Sequence, residues 1–199
     1  MNELAGATGA ALLLLEAAVG VWLVSGYRVR PAAALVLALG PVLAVVATSP
    51  VTLLECANLA AVAAFLVVVP PGADRNGLAE PTDHALRWGL FSMRVGVGVA
   101  LIALAFTEKF THPALAQQTL QDYPALNVFA LVGIPVPDLS FVAVAGAIEL
   151  LFGLLMISGA LPQVAVLVAA VPFNATLLIF GQTELVGHLP VYGVFLALL

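Results

Sequence analysis

Ionisable side chains inside long apolar stretches are the residues of this chain best suited to chemistry. Glu16, Glu149 and Arg94 each lie well inside such a stretch. A charged group in hydrocarbon is costly unless it meets a partner or a cavity, so each marks a candidate functional site. With about 1.5 Å of helix rise per residue, Glu149 and Asn174 lie at similar depths, and the long side chain of Arg94 can reach towards them.

The simplest arrangement of these groups is a buried Glu149–Arg94 pair with Asn174 beside it. In this interpretation Glu149 and Arg94 set the buried electric field and are candidate catalytic residues. Asn174 and Glu16 are candidate ligand-binding residues. Two alternatives stay open: the pair serves only to order the bundle, or Arg94 extends along its helix to the nearer membrane interface.

A second group of polar residues flanks the predicted membrane spans. Glu108 and His112 have the spacing Glu-x-x-x-His, as do Glu184 and His188, which places each pair on one helix face. Carboxylate and imidazole groups suit zinc, copper or iron, so these four residues are candidate metal ligands. Histidine titrates near neutral pH, so the same groups suit proton exchange with a quinone head group, with His188 as a catalytic residue. The structural alternative is a polar lip where helices leave the membrane.

Other residues near this group extend the predicted ligand site. Lys109 can hold an anion, and His112 and Glu184 belong to the same set. Tyr123 is typical of an aromatic anchor at the membrane interface, and it also lies where a flat aromatic ligand can stack. The cofactors that this pattern allows are a quinone and a metal ion. Cys56 is the only cysteine, which excludes an intramolecular disulfide and a Cys-x-x-Cys redox pair, and we interpret it as a packing residue.

The elements that must position these residues are apolar helices. Hydrophobic residues make up 63% of the chain and charged residues 9%, whereas soluble domains carry roughly 25% charged residues. Stretches of about 18 or more apolar residues are candidate membrane spans. They occur near 4–25, 32–49, 51–70, 87–107, 139–159, 162–181 and, in shorter form, 187–199. We therefore predict an all-α, polytopic transmembrane bundle of about seven spans, with the lipid bilayer and not nucleic acid as its partner.

Basic residues predict the orientation of this bundle. Arg28 and Arg30 lie between the first two spans, and Arg75 and Arg87 lie between the third and the fourth. Because cytoplasmic loops carry an excess of Lys and Arg, we expect both connections to be cytoplasmic. The chain then lies in a bacterial inner or plasma membrane, with its N-terminus outside and its C-terminus in the cytoplasm.

The first and fifth spans carry similar segments. Glu16-Ala-Ala-Val-Gly-Val-Trp-Leu-Val-Ser-Gly26 and Glu149-Leu-Leu-Phe-Gly-Leu-Leu-Met-Ile-Ser-Gly159 align at a constant offset of 133 residues. The second and sixth spans each contain a proline near their middle, at Pro41 and Pro172. We interpret the pattern as an internal repeat, in which spans one to three correspond to spans five to seven.

The repeat and the loop composition predict the domain organisation. Residues 1–70 form a three-helix transmembrane repeat unit, 71–86 form a cytoplasmic linker rich in turn-forming residues, and 87–199 form a four-helix transmembrane unit. Within the last unit, 108–138 contains no stretch long enough to span, so we predict an interfacial or re-entrant cap on the outer face. Small residues at Gly96, Gly98, Gly146 and Gly153 are expected to let helices approach closely.

From about Arg87 to Leu199 the chain resembles the DoxX-like integral membrane family (DoxX/DoxD). The residues that carry the resemblance are Arg94, Phe106-Thr-Glu-Lys109-Phe110-x-x-Pro113, Glu149-x-x-x-Gly153-x-x-x-x-x-Gly159, Glu184 and His188. That family forms four-helix bundles and includes the membrane subunit of thiosulfate:quinone oxidoreductases. Other members accompany thiol-handling or superoxide-handling enzymes, and relatives serve methylamine-dehydrogenase maturation. Residues 1–70 resemble a further copy that lacks its first helix.

The resemblance implies an integral membrane subunit of a redox assembly, linked to sulfur or quinone metabolism, with partner subunits or a homo-oligomer. We expect a quinone or another small ligand to bind near the outer face, between the fourth, fifth and seventh spans. Two other functions stay open. The chain can be a non-enzymatic assembly or scaffold protein for a partner enzyme, or a small transporter of ions.

Overall fold

The structure, a computed structural model, describes residues 2–47, 54, 56–69 and 81–199. Within these ranges the side chains of 2–8, 12, 43–47, 183, 184, 186 and 187 lie outside the description. The predicted linker at 71–86, including Arg75, falls mostly on residues that are not described. The described regular structure is entirely helical, which confirms the predicted all-α class.

The helices follow the apolar stretches of the sequence, since each of the seven predicted stretches overlaps one of them. Two further short helices and a 3-10 turn at Pro124–Leu126 lie in the predicted cap. The helices are α1 (Asn2–Ser25), α2 (Val29–Ala47), α3 (Ala57–Val68), α4 (Asp83–Leu104, continued by a π-helical turn at Ala105–Phe110), α5 (Pro113–Asp122), α6 (Val128–Leu131), α7 (Asp138–Ser158), α8 (Pro162–Phe180) and α9 (Gln182–Leu198).

Helix length decides which of these elements can cross a bilayer. Among the residues whose side chains are described, three helices are long and apolar enough: Asp83–Phe110, Asp138–Ser158 and Pro162–Phe180. They are compatible with a membrane protein. Helix α3 has 12 residues, which is about 18 Å against a hydrocarbon core of about 30 Å. The predicted count of seven spans therefore stays a prediction, as does the orientation.

Helix α4 begins at Asp83, four residues before the predicted start near 87. Its N-cap is Thr82, whose hydroxyl accepts a hydrogen bond of 3.2 Å from the Ala85 amide, and Asp83 occupies the first turn. A capping threonine followed by an acidic first turn is a favourable helix start. These polar residues were assigned to the linker because their polarity was interpreted as loop composition.

Helix α4 is the central element, because it packs against α3 on one face and α7 on another. A Cβ built on Gly96 would collide with Ala61 of α3, and one built on Gly98 would lie 2.6 Å from the Gly153 carbonyl oxygen of α7. Glycines at these crossings let the backbones approach closely, as predicted. Of the 18 most apolar consecutive residues, 50% are buried in α4 with its π-helical turn, 22% in α7 and 17% in α8.

The hydrophobic core lies between α4, α7, α8 and α9. Its largest fully buried side chains are Leu101, Met156, Val97, Val166 and Val194. Met93, Ala165, Ala169, Val191, Phe195 and Leu198 complete the buried cluster. Burying side chains from four helices in one cluster fixes how α4, α8 and α9 are rotated, and so fixes which residues face the interior.

The predicted cap is ordered by short helices rather than by an irregular loop. Helix α5 packs against α7 and the π-helical turn, with Leu120 buried. Asn127 is buried as well, and its amide donates to the Val136 carbonyl and to the Asp138 carboxylate, both at 3.3 Å. We call the end of the bundle formed by α5, the π-helical turn and the start of α7 the upper end.

Candidate functional site

The upper end of α4 departs from α-helical geometry where the polar residues begin. Residues 105–110 form a π-helical turn, and the Thr111 amide donates to the Phe106 carbonyl five residues earlier at 2.9 Å. Single π-helical turns inside α-helices occur frequently at functional sites. Here the turn carries Glu108 and Lys109 and directs the lysine towards α7.

Lys109 forms the central contact of a charged cluster at this end. Its Nζ lies 2.8 Å from Glu149 Oε2 and 3.4 Å from Glu108 Oε2. The Glu149 contact is a close ion pair whose atoms are not aligned as a hydrogen bond. Four-fifths of each of the Lys109 and Glu149 side chains is buried, whereas the Glu108 side chain is 59% exposed.

A glycine makes room for this ion pair. A Cβ built on Gly146 would lie 3.0 Å from Lys109 Cβ and 3.0 Å from Phe110 Cζ. Gly146 lies one turn before Glu149 on α7, so the π-helical turn rests on the glycine while the lysine extends to the carboxylate. The buried Glu149 carboxylate is thereby paired with the Lys109 ammonium group, since burying a charge is costly unless it is paired.

The predicted Glu149–Arg94 pair is wrong. The Arg94 guanidinium packs against Gly159 at the far end of α7 and lies 5.8 Å from the Phe91 ring centre. Because α4 and α7 are antiparallel, the Gly98–Gly153 crossing places Arg94 opposite Gly159, which is ten residues, or about 15 Å, from Glu149. Arg94 thus follows the alternative in which it extends towards the nearer end of the bundle.

Two other residues assigned to that buried group also lie elsewhere. Asn174 is exposed on α8, and its amide donates to the Ala170 carbonyl of the same helix at 2.7 Å. Glu16 is exposed on α1. Among the described residues, this helix packs mainly against α2. Neither residue joins Glu149, because side chains at similar depth can point to different sides of a bundle.

A separate cavity of about 190 Å³ lies on the other side of α4. Helix α4 contributes one apolar wall, Cys56 lies just before α3, and Asn58 lies on α3. Helices α8 and α9 contribute Phe173 and His188. The complete lining is Cys56, Asn58, Leu59, Val97, Ala100, Leu101, Leu104, Phe173, His188, Pro190 and Val191. The cavity is therefore apolar with a few polar groups, which is the usual character of small-molecule sites.

Aromatic packing orients His188 in this cavity. Its ring meets Phe173 edge-on, with ring centres 4.6 Å apart, and Tyr192 follows one turn later on α9. The Tyr192 hydroxyl is buried and has no hydrogen-bond partner among the described residues. Leaving such a group unpaired costs roughly 1–3 kcal/mol, so α9 carries one unsatisfied polar atom a turn beyond His188.

The sequence pattern indicates His188 as a site residue but does not single out the residues beside it. Asn58 is the only polar residue of α3 and is 8% exposed. A polar residue inside an apolar helix can be identified from the sequence alone, so Asn58 could have been chosen as a candidate site residue. Cys56 was interpreted as a packing residue, yet it lines the cavity. Tyr192 gave no signal, because an isolated tyrosine is common in apolar helices.

The residues predicted to share one ligand pocket between the fourth, fifth and seventh spans lie in two separate places. Glu149 lies between α4 and α7, whereas His188 lies between α4, α8, α9 and α3, and α4 separates the two. The cavity is bounded by α3, α4, α8 and α9. The predicted site divides into an ion-pair cluster and an apolar cavity.

The candidate metal ligands are not brought together in the part of the chain whose side chains are described. No group of three His, Cys, Asp or Glu side chains suited to a metal ion occurs there. His112 is exposed, and its Nδ1 lies 2.9 Å from the Thr107 carbonyl. Glu184 lies in α9 with its side chain outside the description, so its predicted role is untested.

Tyr123 is half-exposed and packs on a neighbouring helix rather than standing free. Its ring meets Phe180 at the end of α8, with ring centres 4.8 Å apart. The contact ties the predicted cap to α8 at the upper end of the bundle.

No family model, curated protein or solved structure matches this chain, so the candidate site is described from its own geometry.

Proposed function

We propose that this chain is an integral membrane subunit of a redox assembly and binds a quinone head group in the cavity between α3, α4, α8 and α9. The observation that carries the proposal is the cavity itself, where polar groups from α3 and α9 meet an apolar wall. Drug-sized pockets are roughly 300–1,000 Å³, so a cavity of about 190 Å³ suits a single ring.

The chemistry of the lining fits such a ring. The carbonyl oxygens of a quinone accept hydrogen bonds, and the imidazole of His188 and the amide of Asn58 can donate them. Phe173 offers an aromatic edge against a flat ring, and the remaining lining is apolar. A bound quinone supplies two-electron, two-proton redox chemistry, while this chain binds and orients the ring.

The Lys109–Glu149 cluster has a different role in this proposal. It lies on the opposite side of α4 from the cavity and holds the π-helical turn against α7. It therefore fixes the upper end of α4, whose Leu101 and Leu104 line the cavity. The two sites are linked through the position of one helix.

Thermal unfolding of the purified chain in lipid nanodiscs, with and without a short-chain benzoquinone, tests the proposal. A ligand that binds only the folded state raises its stability, so the wild type should unfold at a higher temperature when the quinone is added. Ala100→Leu should remove the shift because it fills the cavity, whereas Ala147→Leu on the exposed side of α7 should retain it. A shift that is absent from the wild type, or equal in Ala100→Leu, would contradict the site.

The role of the imidazole can be separated from packing. His188→Phe keeps a ring against Phe173 but removes both nitrogens. Losing one hydrogen bond of about 0.5–1.5 kcal/mol weakens binding roughly 2- to 12-fold. A quinone titration that gives the same dissociation constant for His188→Phe and the wild type would show that the imidazole does not bind the ligand.

A non-enzymatic assembly function is the second candidate. The exposed carboxylate of Glu16, on a 24-residue helix that is mostly apolar, favours it, because such a group needs a partner in a membrane. Native purification that yields a stoichiometric membrane partner, with no quinone-dependent thermal shift, would support this function over the first.

A further inference from the structure

The two halves of the chain share local structure at an offset of 133 residues. Helices α2 (Val29–Ala47) and α8 (Pro162–Phe180) have the same length and begin at equivalent positions. Helices α1 and α7 end at the equivalent residues Ser25 and Ser158. The helix bounds thus follow the sequence alignment that places Glu16 on Glu149.

The turns after α1 and α7 repeat the same hydrogen bonds. Ser25 Oγ donates to the Trp22 carbonyl at 2.7 Å, and Ser158 Oγ donates to the Leu155 carbonyl at 3.0 Å. The amide two residues after each serine donates back to its hydroxyl, at 3.3 Å and 3.2 Å.

Backbone conformation repeats in the same turns. Gly26 and Gly159 have φ values of +72° and +70°, and two residues later Arg28 and Leu161 have φ values of 47° and 50°. Non-glycine residues rarely adopt positive φ. Among the described residues only these two do so, and they occupy equivalent positions.

On α7 the face that carries Glu149 and Gly153 is covered by α4. A Cβ on Gly153 would lie 2.7 Å from the Gly98 carbonyl oxygen, and Lys109, eleven residues after Gly98, pairs with Glu149 at 2.8 Å. The antiparallel α4 thus supplies a small residue for the glycine and a cation for the carboxylate.

On α1 the equivalent face is open. Glu16 and Gly20 are exposed, and a Cβ built on Gly20 meets no atom within 4 Å. Glu16 has no hydrogen-bond or ion-pair partner among the described residues, and α2 is the described helix on which α1 packs extensively. A carboxylate on an apolar helix is costly in a membrane unless a partner neutralises it.

We infer that the Glu16–Gly20 face of α1 docks a transmembrane helix of a different polypeptide, antiparallel to α1, with a small residue against Gly20 and a basic residue eleven positions further on against Glu16. The α4–α7 crossing is the template for this contact. Helix α4, which has this spacing within the described chain, is already packed on α7, so a second copy of the chain does not offer a free one. The docking surface lies on α1, which contributes no residue to the lining of the cavity. The inference therefore does not depend on the proposed quinone site.

A synthetic peptide of residues 83–112, which carries Gly98 and Lys109, is the probe for this surface. The full chain is held in nanodiscs of phosphatidylcholine and phosphatidylglycerol, and peptide binding is followed by energy transfer between fluorophores. Wild-type peptide should bind the wild-type chain roughly 5-fold more tightly than it binds Glu16→Gln, which is the effect expected of one ion pair. A peptide with Lys109→Met should bind both chains equally weakly, because the two groups act as one pair.

Substitutions on α1 separate the surface from general effects on the helix. Gly20→Leu should abolish binding, whereas Ala18→Leu, on the opposite side of α1, should leave it unchanged. Glu16→Lys should recover binding of a peptide with Lys109→Glu. Equal affinity for wild type and Glu16→Gln would overturn the inference. So would equal effects of Gly20→Leu and Ala18→Leu, or a dimer of the chain that dissociates on Glu16→Gln.

Discussion

Lys109 shows how the partner of a buried charge is decided by helix register. The sequence predicted correctly that Glu149 is a largely buried carboxylate, because it lies in a long apolar stretch. It did not give the partner, since Arg94 and Lys109 both lie on α4 and depth alone does not tell which one faces the carboxylate. The Gly98–Gly153 crossing and the π-helical turn settle the choice in favour of Lys109.

Breaking this ion pair on one side should destabilise the bundle. Lys109→Met leaves the Glu149 carboxylate without its cation, and removing one partner of a buried pair costs about 3–5 kcal/mol. Glu149→Leu combined with Lys109→Met should recover most of the loss, because replacing both charges by apolar groups is often close to neutral. Thermal unfolding in mild detergent measures both, and a double variant no more stable than Lys109→Met would contradict the pairing.

Asn58 is a site residue that could have been predicted from the sequence but was not. It is the only polar side chain in α3, so its position in an apolar helix was visible, and it lies on the cavity. The burial of the Tyr192 hydroxyl could not be predicted from the sequence, because it depends on how α9 is rotated against α8. Rotation is set by packing between elements far apart in the chain.

At the scale of elements, the crossing of α4 and α7 depends on two glycines facing each other. Gly98→Ala or Gly153→Ala puts a methyl group within 2.6–2.7 Å of a carbonyl oxygen, which forces the helices apart. Such overpacking costs about 1–3 kcal/mol. Gly193→Ala is the matched control, because a Cβ there meets nothing within 4 Å.

The control should be slightly more stable than the wild type, since alanine in a helix is favoured over glycine by about 0.5–1 kcal/mol. Unfolding midpoints of the three variants in one detergent provide the comparison. If Gly98→Ala and Gly193→Ala behave alike, the close crossing is not formed.

The turns after α1 and α7 allow a second matched comparison. Gly26 and Gly159 both have a positive φ, so alanine at either position is strained by about 1–2 kcal/mol. At Gly159 the added methyl also collides with Arg94, whereas at Gly26 it meets nothing within 4 Å. Gly159→Ala should therefore unfold at a lower temperature than Gly26→Ala. The reverse order would place Arg94 away from the end of α7.

At the scale of the whole molecule, composition and apolar stretches predicted the all-α class and the approximate positions of the helices. These features depend on local sequence, so they can be identified without tertiary contacts. The division of the site into a cavity and an ion-pair cluster could not be predicted, because both depend on which faces of α4 meet α3, α7 and α9. A pattern along one helix does not specify its neighbours.

Orientation in the membrane is a property of the whole chain that labelling can test. In a Cys56→Ser background, Gln118→Cys on α5 and Ala160→Cys between α7 and α8 lie at opposite ends of the bundle, and both positions are exposed. Arg28 and Arg30, between α1 and α2, predict that the end of the bundle where α7 meets α8 is cytoplasmic. A membrane-impermeant maleimide applied to intact cells should label Gln118→Cys and not Ala160→Cys. The opposite pattern would invert the orientation.

The most direct test of a quinone site between α3, α4, α8 and α9 is photoaffinity labelling of the full chain in nanodiscs. A short-chain quinone carrying a diazirine is irradiated, and the adducts are mapped by mass spectrometry. The proposed function predicts adducts within residues 56–59, 97–104 or 188–191 that unlabelled quinone displaces. Adducts near Glu149, or adducts spread over exposed helix faces and not displaced, would contradict it.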